Sequence, residues 1–163
     1  MTLELLVLII IWVLGFIAVV LFIPRHKRRE AFMSFFPCQS ITWVNTMIQV
    51  KYGLLTFPVR EFPKASDVLF TSEYIMYPLM CAFYYIYEPK SGKLLRFVYL
   101  AGCISFLTLV DNVIANYTDL IHYTKYSWYW TWINFFLIFL VVNVFCKWFF
   151  KPGVFTQDRR TAR

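Results

Sequence analysis

The chain reads as an all-α polytopic membrane bundle of five transmembrane helices. Three observations predict this class. Hydrophobic residues make up 60% of the 163 and charged residues only 15%, the mean hydropathy is +0.60, and the apolar residues gather in runs of helical period. A soluble core of this size cannot hide that much apolar surface. In lipid only a helix or a closed barrel satisfies its backbone polar groups, and the period here does not alternate as a strand's would.

A span needs about 20 mostly apolar residues, because each rises ~1.5 Å through a hydrocarbon core ~30 Å thick. Leu5–Ile23 carries no charge. Its positive cluster follows the apolar run and no small-residue cleavage pattern precedes Pro24, so it is expected as a retained span and not a signal peptide. Ala31–Val50 is uncharged and contains Pro37; Val68–Tyr87 is charged only at Glu73 and contains Pro78. Phe97–Tyr117 is charged only at Asp111, and Trp128–Cys146 is uncharged. The expectation is a single membrane domain over 1–163, ending in a short basic cytoplasmic tail at 147–163.

Orientation follows from lysine and arginine, which stay on the cytoplasmic side of short loops. Arg25, Lys27, Arg28, Arg29, Lys90, Lys93, Arg96, Lys147, Lys151, Arg159, Arg160 and Arg163 fall on one side, against Lys51, Arg60, Lys64 and Lys125 on the other. The N-terminus is thus expected outside and the C-terminus inside, in a cell membrane. The net charge of +7 sits mainly at the cytoplasmic face, where anionic lipid is the expected partner. No basic, aromatic-interleaved surface suggests nucleic acid.

Counting from each boundary places the polar groups in depth. Glu73 lies five residues, about 8 Å, below the outer end of its helix, and Asp111 lies about 21 Å from the inner end of its own, hence also in the outer half. Asn45 and Gln49, and Thr131 and Asn134, fall at a similar level. Gln39, Thr42, Asn45, Thr46 and Gln49 form a stripe within about 120° of the second helix. On the third, Glu73, Met76, Tyr77, Met80, Tyr84 and Tyr87 share a face, as do Thr108, Asp111, Ala115 and Thr118 on the fourth.

Acids within membrane segments usually mark a pathway or ligand site. A carboxyl pair in low dielectric holds a proton or a cation more readily than two bare charges. Arg60, Lys64 or Lys125 could reach toward it from the outer loops, and Ser66 or Asp67 is expected to cap the third helix. Trp128, Tyr129, Trp130 and Trp132 suit an outer aromatic belt, with Trp130 alternatively one wall of a box for an organic cation or flat ligand. The candidate ligand- or ion-binding residues are therefore Glu73, Asp111, Asn45, Gln49, Tyr77, Asn134 and Trp130.

Cys38, Cys81, Cys103 and Cys146 fall one to a helix without CxxC spacing, so buried packing is expected, with neither disulfide nor metal. His26 and His122 are lone. The sequon at Asn116 lies too close to the membrane to weigh heavily. Without a phosphate loop, nucleophile elbow or HExxH, neither cofactor nor catalytic residue is expected.

The runs IPRHKRREA, FPVREFPKAS, FTSEYIMYP, YTDLIHY and WYWTWI, in this order, resemble small multi-helix membrane proteins of bacilli and clostridia, the CBO-type hypothetical protein family. The resemblance implies a membrane protein of a spore-forming bacterium, with the Glu73, Tyr74, Pro78 and Trp130 positions in its motifs, and implies no activity. Two functional expectations stand side by side. One is an outer-leaflet acidic pocket for a small ligand or cation, in transport or sensing. The other is a structural or assembly protein whose polar layer packs helices or docks a membrane partner or a second copy.

The orientation has a direct check. Gly92→Cys and Ser66→Cys, each in a background lacking the native cysteines, are expected to react with an impermeant thiol reagent from opposite sides of the membrane. Labelling of both from one side contradicts the topology.

Overall fold

Long apolar runs with no competing turn residues fold as helices, and the computed structural model is mostly helical. It describes residues 3–62, 64, 66–90, 92–124 and 127–151. Five α-helices follow in order: α1 (Leu3–Phe22), α2 (Arg28–Lys51), α3 (Tyr77–Tyr87), α4 (Lys93–Tyr117) and α5 (Trp128–Phe149). Residues 152–163 of the expected basic tail, and Lys125, lie outside the described residues.

Among the described residues, α1, α4 and α5 are long and apolar enough to cross a membrane. The other two depart from expectation for physical reasons. α2 has the length, but its stripe of Gln, Thr and Asn and its charged ends dilute the apolar character. α3 is 11 residues long because a π turn, Ser72–Met76, precedes it. Pro78 has no N–H, and its ring would press on the carbonyl four residues back in an unbroken α-helix. The wider turn relieves that pressure, with the Tyr77 N–H reaching back to the Ser72 carbonyl. The irregularity that Pro78 imposes thus falls on the turn that carries Glu73.

Pro37 has a different remedy. It removes the bond that the Met33 carbonyl would accept, and the Cys146 thiol on α5 donates to that carbonyl at 3.2 Å. Cys38, Cys81 and Cys146 are buried, Cys103 is partly buried, and all four are free.

Contacts fix the helix directions. α2 runs against α3, with the Cys38 thiol at the Tyr77 carbonyl and Ala31 packed near Ala82 and Ile86. α4 also runs against α3, since Tyr77 bonds to Asp111 and Tyr84 stacks on Tyr99. α5 runs with α3, as Tyr77 packs on Phe135 and Tyr84 on Phe139. The core between them includes Tyr77, Cys81, Ile104, Leu107, Phe135 and Phe139. α1 lies outside this core, with Leu8 buried. It is tied on by a bond from the Trp12 indole to the Thr71 hydroxyl, 2.9 Å, and by Gly15, where a Cβ would come within 2.9 Å of an Ile75 methyl.

At the other end of α2, Gly53 takes a positive φ of 65°. Leu54 N–H bonds to the Gln49 carbonyl and Gly53 N–H to that of Val50, a Schellman closure that needs a residue without a Cβ penalty. The chain then enters β1 (Leu55–Thr56), which pairs antiparallel with β2 (His122–Tyr123), Leu55 opposite Tyr123 and Thr56 opposite His122. The two connecting loops therefore form one lid. Phe57, Leu120 and Ile121 are buried beneath it.

The third helical segment begins at Phe70, and its cap differs from expectation. The Phe70 and Thr71 N–H groups donate to the Glu61 carboxylate at 3.1 and 2.9 Å. Ser66 and Asp67 precede the first turn by too many residues to serve it. Ser66 instead accepts from the Val68 N–H, and Asp67 pairs with Arg60 at 3.0 Å.

At the opposite end, Glu88 joins α3 to α5. It accepts from Lys147 at 2.8 Å and from Asn143 at 3.0 Å. Burial works against its charged form, but the bonds from Lys147 and Asn143 and the charges of Lys147 and Arg96 outweigh it, holding the pKa below the ordinary 4.5. The unfolded chain then binds this proton more readily than the folded one. The clamp is fully stabilising above the unfolded value and is lost as pH falls through the lower folded value. Glu88→Gln is expected to flatten the acid limb of thermal stability in detergent between about pH 3 and 6; an unchanged limb contradicts the clamp.

Candidate functional site

The stripe on α2, the π turn, the C-terminal third of α4 and the N-terminal half of α5 line one cavity. Thr42, Asn45, Thr46 and Gln49 face it from α2, Glu73 and Tyr77 from the third segment, Asp111 from α4, and Thr131 and Asn134 from α5. The lid contributes Leu55, Phe57, Ile121 and Tyr123, and Phe135 and Ile138 complete the lining. Helix periodicity accounts for the pattern, since residues three and four apart share a face. The cavity measures about 30 Å³, space for about two water molecules and far too little for a flat organic ligand.

Glu73 and Asp111 are each 1% exposed, yet their surroundings differ. Both Asp111 oxygens accept from the Tyr77 hydroxyl at 3.1 Å. Neither Glu73 oxygen has a hydrogen-bond partner among the described residues. The hydroxyls of Thr46 and Thr42 face the carboxylate from α2 without completing a bond to it. Thr42 has its proton committed to the Gln39 carbonyl at 3.1 Å. The Thr131 hydroxyl is likewise buried without a partner.

No described basic side chain forms an ion pair with either acid. Of the outer cations expected to reach down, Arg60 is held by Asp67 and Lys64 is exposed. The lining is thus rich in oxygen: two carboxylates, three threonines, three amides and two tyrosines. Such a donor set suits a proton or a small hard cation.

The cavity gathers Asn45, Gln49, Glu73, Tyr77, Asp111 and Asn134. Trp130 does not join them. It is 52% exposed, with its ring against Tyr129, because it points about 90° away from the mean direction of Thr131, Asn134, Phe135 and Ile138. An aromatic box built on Trp130 is therefore ruled out as a wall of this cavity. Tyr84 and Tyr87, expected to share a face with Glu73, do not line the cavity either. Tyr84 accepts from Asn143 near Glu88, and Tyr87 donates to the Phe22 carbonyl.

The two-proline loop from Thr56 to Phe70 is expected from the sequence as a fixed cap over the polar layer; its pairing with the second loop was missed, and so was Asn143. The pairing left no signal, since each strand is two residues long. Asn143 had one, as a lone amide twelve residues after Thr131 in an apolar run.

No family model matches the chain, and neither does any curated protein or solved structure.

Tyr77→Phe removes the donor that serves Asp111 while keeping the ring against Phe135. The expected result is a loss of about 1–3 kcal/mol, the cost of an unsatisfied buried acceptor, read as a lower unfolding midpoint in detergent.

Proposed function

We propose that the protein crosses a cell membrane five times and binds one small cation, a proton or a monovalent metal ion, at Glu73 and Asp111. Its N-terminus and lid face outward and its basic end lies against anionic lipid in the cytoplasmic leaflet. The alternating helix directions and the one-sided basic residues support the spans, including α2 and α3, whose polar groups turn toward protein. Transport or sensing of that cation is the role this reading favours.

One observation carries it: the buried Glu73 carboxylate has both oxygens unpaired and opens on a cavity of about 30 Å³. The volume narrows the earlier expectation of a ligand to something the size of an ion with its water. A second reading has its own support. The Tyr77 bonds to Asp111 join α3 to α4, so that acid also serves assembly.

Glu73→Gln separates the two readings, since it keeps shape and hydrogen bonding but cannot lose a proton or neutralise a cation. The measurement is the unfolding midpoint in detergent, across pH and across sodium or potassium chloride, with choline chloride as a salt control too large for the cavity. The wild-type midpoint is expected to depend on pH or on the small cation, and that of Glu73→Gln to be flat. A wild-type midpoint indifferent to both, or a variant that responds as wild type does, favours assembly alone.

A further inference from the structure

A groove of about 400 Å³ runs between α1, α2 and α3 near the basic end of the bundle. Val19, Val20, Phe32, Phe35 and Leu79 line it, together with Arg28. Ala31 and Ala82 also face it, and their small side chains leave its floor open. Along α2 it extends from Arg28 to Phe35, seven residues or about 10 Å. That is comparable to the depth of one leaflet, about 15 Å.

The groove's charge is what distinguishes it. Arg28 is exposed and no described carboxylate pairs with it. Its neighbour Lys27 is committed elsewhere, donating to the Ile86 carbonyl at 2.8 Å and lying over the Tyr87 ring. A second groove on the other side of α1, about 440 Å³, is lined by Gly15, Phe22, Ile75, Phe83 and other apolar residues and carries no charged one. It resembles any lipid-facing surface. A third groove, about 240 Å³, carries Arg96 and Lys147 but also the Glu88 carboxylate that holds Lys147; the Arg28 groove pairs an acyl-sized slot with a cation that no described carboxylate holds.

We propose that this groove binds an anionic phospholipid, with the phosphate on Arg28 and one acyl chain between α1 and the α2–α3 pair. The chain covers apolar wall that α1 leaves open, and so fastens α1 to a bundle that otherwise holds it through Trp12, Gly15 and the Tyr87 contact to Phe22. The guanidinium suits a phosphate, offering several donors in a plane. The site rests on the membrane placement proposed above but not on the cation site, and its test does not involve Glu73.

The full chain, purified in detergent, is titrated with dioleoylphosphatidylglycerol or dioleoylphosphatidylcholine. Lipid adducts are read by native mass spectrometry and the fold by circular dichroism. The wild type is expected to retain the anionic lipid about fivefold more strongly, the order expected of one basic side chain at an anionic surface. Arg28→Gln removes that preference and Arg28→Lys keeps most of it. Arg29→Gln, with the same loss of charge outside the groove, leaves it unchanged. Val20→Trp, at a position 62% exposed, fills the slot and lowers retention of both lipids without touching the core. Equal retention of the two lipids by wild type overturns the proposal. So does equal loss from Arg28→Gln and Arg29→Gln, which marks diffuse attraction, or full retention by Val20→Trp.

Discussion

A carboxyl group sealed among helices needs donors or a positive charge, and the surroundings of Glu73 are organised by that need. Neutral hydrogen bonds between membrane helices contribute about 0.6 kcal/mol each on average. An acid in the middle of a bilayer costs roughly 2.5 to 3.5 kcal/mol. Nearer the end of a span, as proposed for Glu73, the cost is lower, but the two threonines facing it make no bond of full geometry. In the proposed reading a single cation or proton, drawn to the two acids, meets that cost directly.

This constraint explains why the polar residues lie where they do. The stripe on α2 faces the cavity, where its amides and hydroxyls meet other polar groups; in the proposed membrane placement, lipid would leave them unpaired. The π turn places Glu73 on a segment whose carbonyl ladder is already irregular, a feature frequent at functional sites. β1, β2 and the residues beside them close one end of the cavity, and the buried Leu55, Phe57 and Ile121 give it an apolar roof. Below it, Tyr77 both serves Asp111 and packs on Phe135, linking the polar layer to the aromatic core. The polar groups at the basic end, Tyr84, Asn143, Glu88 and Lys147, satisfy one another and leave no comparable vacancy in bonding.

Much of the layer was legible in the sequence because helix rise and period are stiff. Counting residues brought Asn45, Gln49, Asp111 and Asn134 to one level, and 100° per residue put the α2 stripe on one face. Trp130 failed the same arithmetic, since level was weighed and phase was not. Pro78 announced an irregularity but not its form, because a kink and a π turn relieve the same clash. The pairing of the two lid loops and the Glu61 cap were illegible for a different reason. Both depend on contacts between loops distant in sequence, and neither β1 nor β2 is long enough to show a pattern. Length and hydropathy single out α1, α4 and α5, since the polar stripe dilutes α2 and the π turn leaves α3 only 11 residues long.

The central claim is that a movable positive charge occupies the layer between Glu73 and Asp111. Difference infrared spectroscopy of the purified protein, on changing pH or adding sodium or potassium chloride, reads the carboxyl groups themselves. The account predicts a protonated-carboxyl band that changes with the cation and is missing from Glu73→Gln. A spectrum with no carboxyl change in the wild type, or the same change in the variant, would contradict it.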